Sequence, residues 1–433
     1  MADTVFIKDL KDHVGKTATI QGWMFNKRGG KGIHFLQLRD GSGVVQGVVF
    51  DKSEETEVFK TADKLTMESS VKVTGEVTQH PKHDDVFELQ VSEIEIVHLV
   101  DGEYPIAKKE HGTDFLLENR HLWLRSKRQR AIQIVRNTII NGIYEYLNKE
   151  GFIKIDSPIL TPNACEGTTT LFDVEYFDEG KAYLSQSGQL YLEAAIFSVG
   201  RCFDFGPVFR AEKSKTRRHL TEFWMMDAEA AFVEHEENMK IQEGLIVHVI
   251  KKALEENKKE LADLERDVSA LEKIEAPFIY KTHAEVVKEL QEMGSDIKEN
   301  DDLGGDDETI LTNKYDKPIF VEKYPAEVKA FYMKRDPENE NLALCADMLA
   351  PEGYGEVIGG SEREADYDVL LGRIKEHGLD EKEFSWYLDL RKYGSVPHSG
   401  FGIGLERLTG WICGTKHIRE TIPFPRLINR IRP

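Results

Sequence analysis

The first hundred residues alternate between apolar and polar positions in short runs. Thr17 to Trp23 alternates, Phe35 to Arg39 alternates into the turn Asp40-Gly41-Ser42-Gly43, and Val44 to Phe50 is rich in Val and aromatic residues. Val71 and Val73 alternate with Lys72 and Thr74, Gly75 marks a bend, and Phe87, Leu89 and Val91 alternate with Glu88 and Gln90. A period of two with β-branched and aromatic residues predicts strands. Five short strands plus one helical stretch near Glu57 to Leu65 predict a small barrel of the OB type at residues 1–100. Residues 101–126, holding Pro105 and several charges, read as a hinge. The period then changes. Ala131, Ile132, Val135, Ile139, Ile143 and Leu147 recur at helical spacing, with Gly151 as the stop. Phe152 to Ile155 reads as a strand running into Pro158 and Pro162. Residues 233–300, with Ile241, Leu245 and Val249 amid Glu and Lys, read as a helical insertion within a domain spanning 127–433.

Composition narrows the class without naming a function. The chain has 433 residues, 57 basic against 77 acidic, a formal charge of −20. That balance favours solubility and excludes a basic nucleic-acid coat protein, yet local basic clusters remain at Lys27-Arg28 with Lys31, at Lys213 to Arg218, and at Arg426, Arg430 and Arg432. No stretch approaches the roughly 20 apolar residues needed to span a bilayer. The N-terminus has no basic region followed by an apolar run, so no signal peptide and no membrane partner are expected. Four dispersed cysteines, Cys165, Cys202, Cys345 and Cys413, form no metal-ligand spacing and fit a reducing, cytoplasmic setting.

Three constellations carry chemistry. Cys202 to Phe209 reads as a strand, followed by Arg210-Ala211-Glu212, a basic loop, and a second strand from Phe223 to Phe232. Guanidinium forks suit phosphate oxygens, and Phe223 offers an apolar face for a nucleobase. Gly400, Gly402 and Gly404 alternate in an extended segment that lets a ligand approach the backbone, and a helix starts at Leu405 carrying Arg407. The acids Asp347 and Glu356 are of the type that holds Mg²⁺ beside a triphosphate. Each signal alone has a plain structural reading: a charged hairpin, a packed glycine strand, surface acids.

Taken together, these residues resemble a class II aminoacyl-tRNA synthetase across essentially the whole chain. The helix, strand and Pro158 are similar to that class's dimer-forming motif 1, Arg210 and Glu212 to motif 2, and Gly400 to Arg407 to motif 3. Within the class the chain resembles the aspartyl, asparaginyl and lysyl subgroup, and more narrowly the asparaginyl branch. The segments Ser185 to Glu193, Thr216 to Trp224, Pro397 to Gly402 and Pro423 to Arg426 carry that resemblance.

The resemblance implies an α+β chain: an N-terminal OB-fold barrel that reads an anticodon, and an antiparallel sheet flanked by helices, assembled as a homodimer. It implies ATP and Mg²⁺, with asparagine and tRNA(Asn) as substrates. Arg210 and Arg407 carry catalysis. Arg210, Glu212, Arg218, His219, Phe223, Glu356, Gly404 and Arg407 bind ATP, and Asp347 and Glu356 hold the metal. Glu166, Gln189, Arg210, Asp227, Arg363 and His398 face the amino acid. Arg28, Phe35 and Gln46 meet the anticodon, although Phe35 also reads as a core residue of a barrel strand. Catalysis then rests on positioning and electrostatic stabilisation, and no Ser/His/Asp or Cys/His nucleophile is required.

Substrate choice has a physical reading. Aspartyl enzymes carry a Lys where this chain has Leu192, so one positive charge is missing. Arg363 donates to a side-chain carbonyl, and Asp227 is an acceptor facing an amide. The family more often has Glu there, leaving a gap of about one methylene. An aspartate substrate meets like charge at Asp227. Three other readings stay open: an aspartate-charging enzyme with relaxed tRNA choice, which Leu192 disfavours; a synthetase-derived asparagine synthetase, which the anticodon domain disfavours; and a catalytically dead RNA-binding module, which the intact arginines and acids disfavour.

Overall fold

Alternating side chains become a barrel when one set faces inward. In the computed structural model, which describes residues 2–80, 82–83, 86–106, 109–162, 165 and 171–433, five strands do this: β1 (Thr17–Gly30), β2 (Ile33–Arg39), β3 (Val44–Phe50), β4 (Ser70–Gln79) and β5 (Phe87–His98). They pair β1–β2–β3–β5–β4, and β4 pairs back to β1, so no edge is left open. Ile20, Leu36, Leu38, Val49, Val73 and Leu89 fill the interior, and α1 (Glu57–Lys64) adds Phe59 and Ala62. β1 is longer than its sequence pattern indicates. It runs through an irregularity between Met24 and Asn26 that resets the alternation. The chain divides into two compact units, residues 1–112 and 113–433.

The second unit is built on helix α2 (Lys127–Lys149). Ser126 caps it by accepting from Gln129 N, and Gly151 sits just beyond its end at φ 82. Its apolar stripe, Ala131, Ile132, Val135, Ile139, Ile143 and Leu147, is fully buried. The strands are β6 (Ile153–Lys154), β7 (Arg201–Phe203), β8 (Gly206–Phe209), β9 (Glu222–Ala231), β10 (Ile279–Thr282), β11 (Ile319–Glu322), β12 (Cys345–Ala350), β13 (Gly355–Glu362) and β14 (His398–Gly404). Their order is β10-β11-β12-β13-β14-β9-β7-β6, with β8 beside β9. The five central strands, β11 to β9, are antiparallel, and only the pairs β10–β11 and β7–β6 are parallel.

Each face of this sheet has its own job. Met226, Ala228, Phe401, Ile403, Ile358, Ala346 and Met348 point to one face and form the main core with α2, helix α4 (His235–Glu256) and helix α7 (Leu405–Cys413). Residues one step along each strand point to the other face, where the cavity lies.

Two expectations change. Residues 202–209 do not form one strand: Asp204 and Phe205 interrupt it, because Asp204 N bonds Asp227 O and its side chain accepts from Asp227 N. The 233–300 segment is not a simple helical insertion. Leu245, Ile246, Val249 and Ile250 of α4 are core residues, and β10 lies in the main sheet. Its abundant Glu and Lys cover the solvent side and mask this role in the sequence.

Candidate active site

A cavity of about 570 Å³ lies on the polar face of the sheet. Its floor follows from strand register. Asp227 of β9, Gly402 of β14, Gly359 of β13 and Asp347 of β12 stand side by side in one row across four strands. The two central positions have no side chain, so a ligand can lie on bare backbone between two acids. A Cβ on Gly402 would sit 2.5 Å from Asp227 Oδ1, and one on Gly359 would sit 3.4 Å from Glu356 Oε1 and 3.5 Å from Asp347 Oδ1. The Gly359 distances show that the two carboxylates converge on one point. That suits a hard cation that takes one or two protein carboxylates plus phosphate oxygens. Among the described residues no group of three or more His, Cys, Asp or Glu is arranged to hold a metal.

Arginines line the walls. Arg210 stands at the end of β8, its guanidinium 5.8 Å from the centre of the Phe223 ring. Its buried Nε has no hydrogen-bond partner among the described residues. Arg407, in the first turn of α7, donates to Glu356 Oε2 at 2.9 Å and to Glu356 O at 3.2 Å. Burial pushes Glu356 up, but Arg407 wins and holds it below the usual carboxylate range. Burial raises Asp347, although Lys329 stands 3.0 Å from it. His219 lies 3.6 Å from Glu212, and burial followed by the charge of Arg407 lowers its imidazole.

At the other end of the cavity, helix α3 (Gln189–Val199) aims its N-terminus at Asp227. Asp227 Oδ2 accepts from Ser187 Oγ at 2.7 Å and from Gly188 N at 3.0 Å. Gln189 also lines the cavity, and its amide donates to Glu193 Oε1 at 3.0 Å. Arg363 is 3% exposed, bonded to Ser361 Oγ at 2.6 Å and paired with Glu229. Burial alone lowers a guanidinium, but Glu229 more than offsets it and keeps Arg363 charged.

A model of the tRNA synthetases class II (D, K and N) matches residues 112–428. The chain belongs to this synthetase family. An OB-fold nucleic acid binding domain matches residues 18–97. The asparaginyl-tRNA synthetase from Pyrococcus horikoshii complexed with asparaginyl-adenylate is 44% identical, with TM-score 0.96 and 100% of both chains covered. The Entamoeba histolytica asparaginyl-tRNA synthetase is 32% identical, with TM-score 0.92 and the same coverage. An aspartyl tRNA synthetase from Entamoeba histolytica is 27% identical, with TM-score 0.84, covering all of this chain and 93% of that one.

In this synthetase the tertiary structure brings Gln189, Arg210, Glu212, Arg218, His219, Phe223, Asp227, Asp347, Glu356, Arg363, Gly404 and Arg407 around one cavity. Glu166 lies outside the described residues. His398 is a correction. It is fully buried and does not line the cavity, because its Nε2 contacts Glu193 Oε2 at 3.0 Å and its Nδ1 contacts Val396 O at 2.8 Å. It supports Glu193, which in turn holds Gln189. Glu229, Ser187, Glu308 and Lys329 went unread in the sequence. Register signals the first: Glu229 lies two residues past Asp227, on the same face.

In the barrel, Arg28 pairs with Phe35 across β1 and β2, and Gln46 lies on the same outer face, diagonal to Phe35. Phe35 is therefore not a core residue; Leu36 and Leu38 are. Gln46 donates to Glu88 Oε1 at 2.7 Å. Lys27 turns away to bond the carbonyls of Ala62 and Asp63 near the C-terminal end of α1. Among the described residues no helix is long and apolar enough to cross a membrane, and all four cysteines are free and buried.

Proposed function

We propose that this synthetase activates asparagine with ATP and transfers it to tRNA(Asn). The observation that carries the reading is the row Asp227–Gly402–Gly359–Asp347. It offers a substrate-sized floor with an amino-acid end near Gln189, Asp227 and Arg363, and a nucleotide end near Arg210, Phe223 and Arg407. In this reading the asparagine carboxylate attacks the α-phosphorus and pyrophosphate leaves. The aminoacyl-adenylate then passes its acyl group to the terminal ribose of the tRNA. Arg210, with its open Nε, meets charge developing at the α-phosphate. Phe223 and Arg407 hold the adenine and the tail. Asp347 and Glu356 would hold Mg²⁺, which screens the phosphate charge when bound.

Asparagine is favoured over aspartate by charge. Arg363, anchored by Glu229, presents a cation to the side-chain carbonyl, and Asp227 presents an anion to the amide. Leu192 packs with Ile196 and Cys202, so no second cation stands there to hold a carboxylate. A site built on such hydrogen bonds discriminates by about 10⁴–10⁵. The outer-face row Arg28, Phe35 and Gln46 would receive the anticodon. Exposed Ile153, Ile159 and Leu160, next to Pro158, support a homodimer contact. The free thiols suit the cytoplasm. The test is pyrophosphate exchange into ATP with each amino acid in turn: asparagine supports exchange, and comparable exchange with aspartate overturns the assignment.

A further inference from the structure

Three ion pairs stand in the cavity. Lys329 sits on Asp347, Arg407 on Glu356, and Arg218 on a third acid, Glu308. Glu308 lies in helix α5 (Gly305–Thr312), and both it and Arg218 line the cavity.

Arg218 is held tightly. Its Nη1 donates to Glu308 Oε2 at 2.5 Å, and its Nη2 donates to Thr309 Oγ1 at 2.8 Å and to Gly353 O at 2.7 Å. Glu308 Oε2 also accepts from Glu356 N at 2.8 Å. These bonds engage both terminal nitrogens of the guanidinium, donors that suit phosphate oxygens. Arg210 differs, with its Nε left open. Glu308 also differs from the two metal-type acids. Asp347 Oδ1 and Glu356 Oε1 converge at Gly359, whereas the bonded oxygen of Glu308 faces Arg218 and a backbone amide.

We propose that Glu308 is a positioning residue that holds Arg218 in place of the triphosphate tail and competes for it with ATP and with departing pyrophosphate. This rests on the ATP-binding reading of the cavity. The step is an exchange of ion pairs, with no bond made or broken. An entering tail carries several negative charges and displaces one carboxylate from the guanidinium. The displaced carboxylate stays nearby and repels the tail. Once the adenylate has formed, Glu308 recaptures Arg218 as pyrophosphate leaves.

The test compares the intact enzyme with Glu308→Gln, which keeps the shape and removes the charge, Glu308→Ser, which removes the contact, and Glu308→Asp, which restores a charge. Glu308→Gln and Glu308→Ser are expected to lower the KM for ATP and the inhibition constant of pyrophosphate about fivefold or more, within the usual range for coupled binding. Asparagine KM and AMP affinity stay unchanged, because neither ligand reaches Arg218. Glu308→Asp moves both constants back toward the parent values. Unchanged ATP and pyrophosphate constants in both neutral variants overturn the proposal. Weaker ATP binding that depends on Mg²⁺ also overturns it and makes Glu308 a metal ligand. If the unmodified enzyme binds no ATP, the underlying reading of the cavity fails instead.

Discussion

Glu193 is the buried pivot beneath the amino-acid end of the cavity, and its replacement by Gln is the sharpest test of how the site is held. Its carboxylate has no exposure, and neither do the side chains of Arg391 and His398. It accepts from Arg391 Nη2 at 2.7 Å, from Tyr387 Oη at 2.7 and 2.8 Å, and from Gln189 Nε2 at 3.0 Å, and lies 3.0 Å from His398 Nε2. One carboxylate thus ties α3 to helix α6 (Ser385–Lys392) and to β14. Glutamine has the same volume and keeps one acceptor oxygen, so the change isolates the charge. It leaves the guanidinium of Arg391 buried without an anion, and breaking such a pair costs about 3–5 kcal/mol. The surviving acceptor puts the expectation at about 3 kcal/mol, a fall in Tm of about 3–5 °C for a unit of this size. The loss depends on pH. Burial pushes Glu193 up, but Arg391 and His398 win and hold it below its ordinary 4.5. Its stabilisation is therefore fully present above pH 4.5 and fades as pH falls, so parent and variant converge in acid. Pyrophosphate exchange should also show a raised KM for asparagine, because Gln189 loses its anchor, with the KM for ATP unchanged. A Tm drop below about 2 °C at neutral pH, or an equal rise in both KM values, would refute the reasoning.

Other outcomes follow from the same geometry. Arg210→Ala should cut adenylate formation by about 10²-fold or more while leaving the thermal melt within a few degrees, read by single-turnover ATP consumption. Phe35→Ala should weaken tRNA binding by about 1–3 kcal/mol without altering pyrophosphate exchange, since the ring lies on the outer face of the barrel. Asp204 is raised to about 7, first by burial and then by the charge of Asp227, from an ordinary 3.8. Its folded form therefore keeps a proton that the unfolded chain releases, and stability falls as pH rises from about 4 to 7 by at most about 4 kcal/mol. Asp204→Asn should flatten that decline in denaturant titrations taken across this range, and an unchanged slope would remove Asp204 as its cause.

Local pattern made much of this enzyme legible. The apolar stripe from Ala131 to Leu147 specifies a helix because every fourth side chain meets the same neighbour, and the barrel strands announce themselves by alternation. Arg210, Phe223, Gly402 and Arg407 stand in motifs short enough to read along the chain. Where the motifs meet is a matter of register. Asp227, Gly402, Gly359 and Asp347 are far apart in sequence, and only the pairing of four strands sets them in one row. Tertiary contacts also decided His398, which its motif placed beside the substrate and the fold buried against Glu193. They decided the 233–300 segment too, whose surface charge conceals core residues and a strand. The division has one physical cause. A residue's conformational preference depends on its near neighbours, whereas its electrostatic partner depends on which distant strand or helix arrives beside it. Glu308 and Arg218, ninety positions apart, become a pair only when the chain has folded.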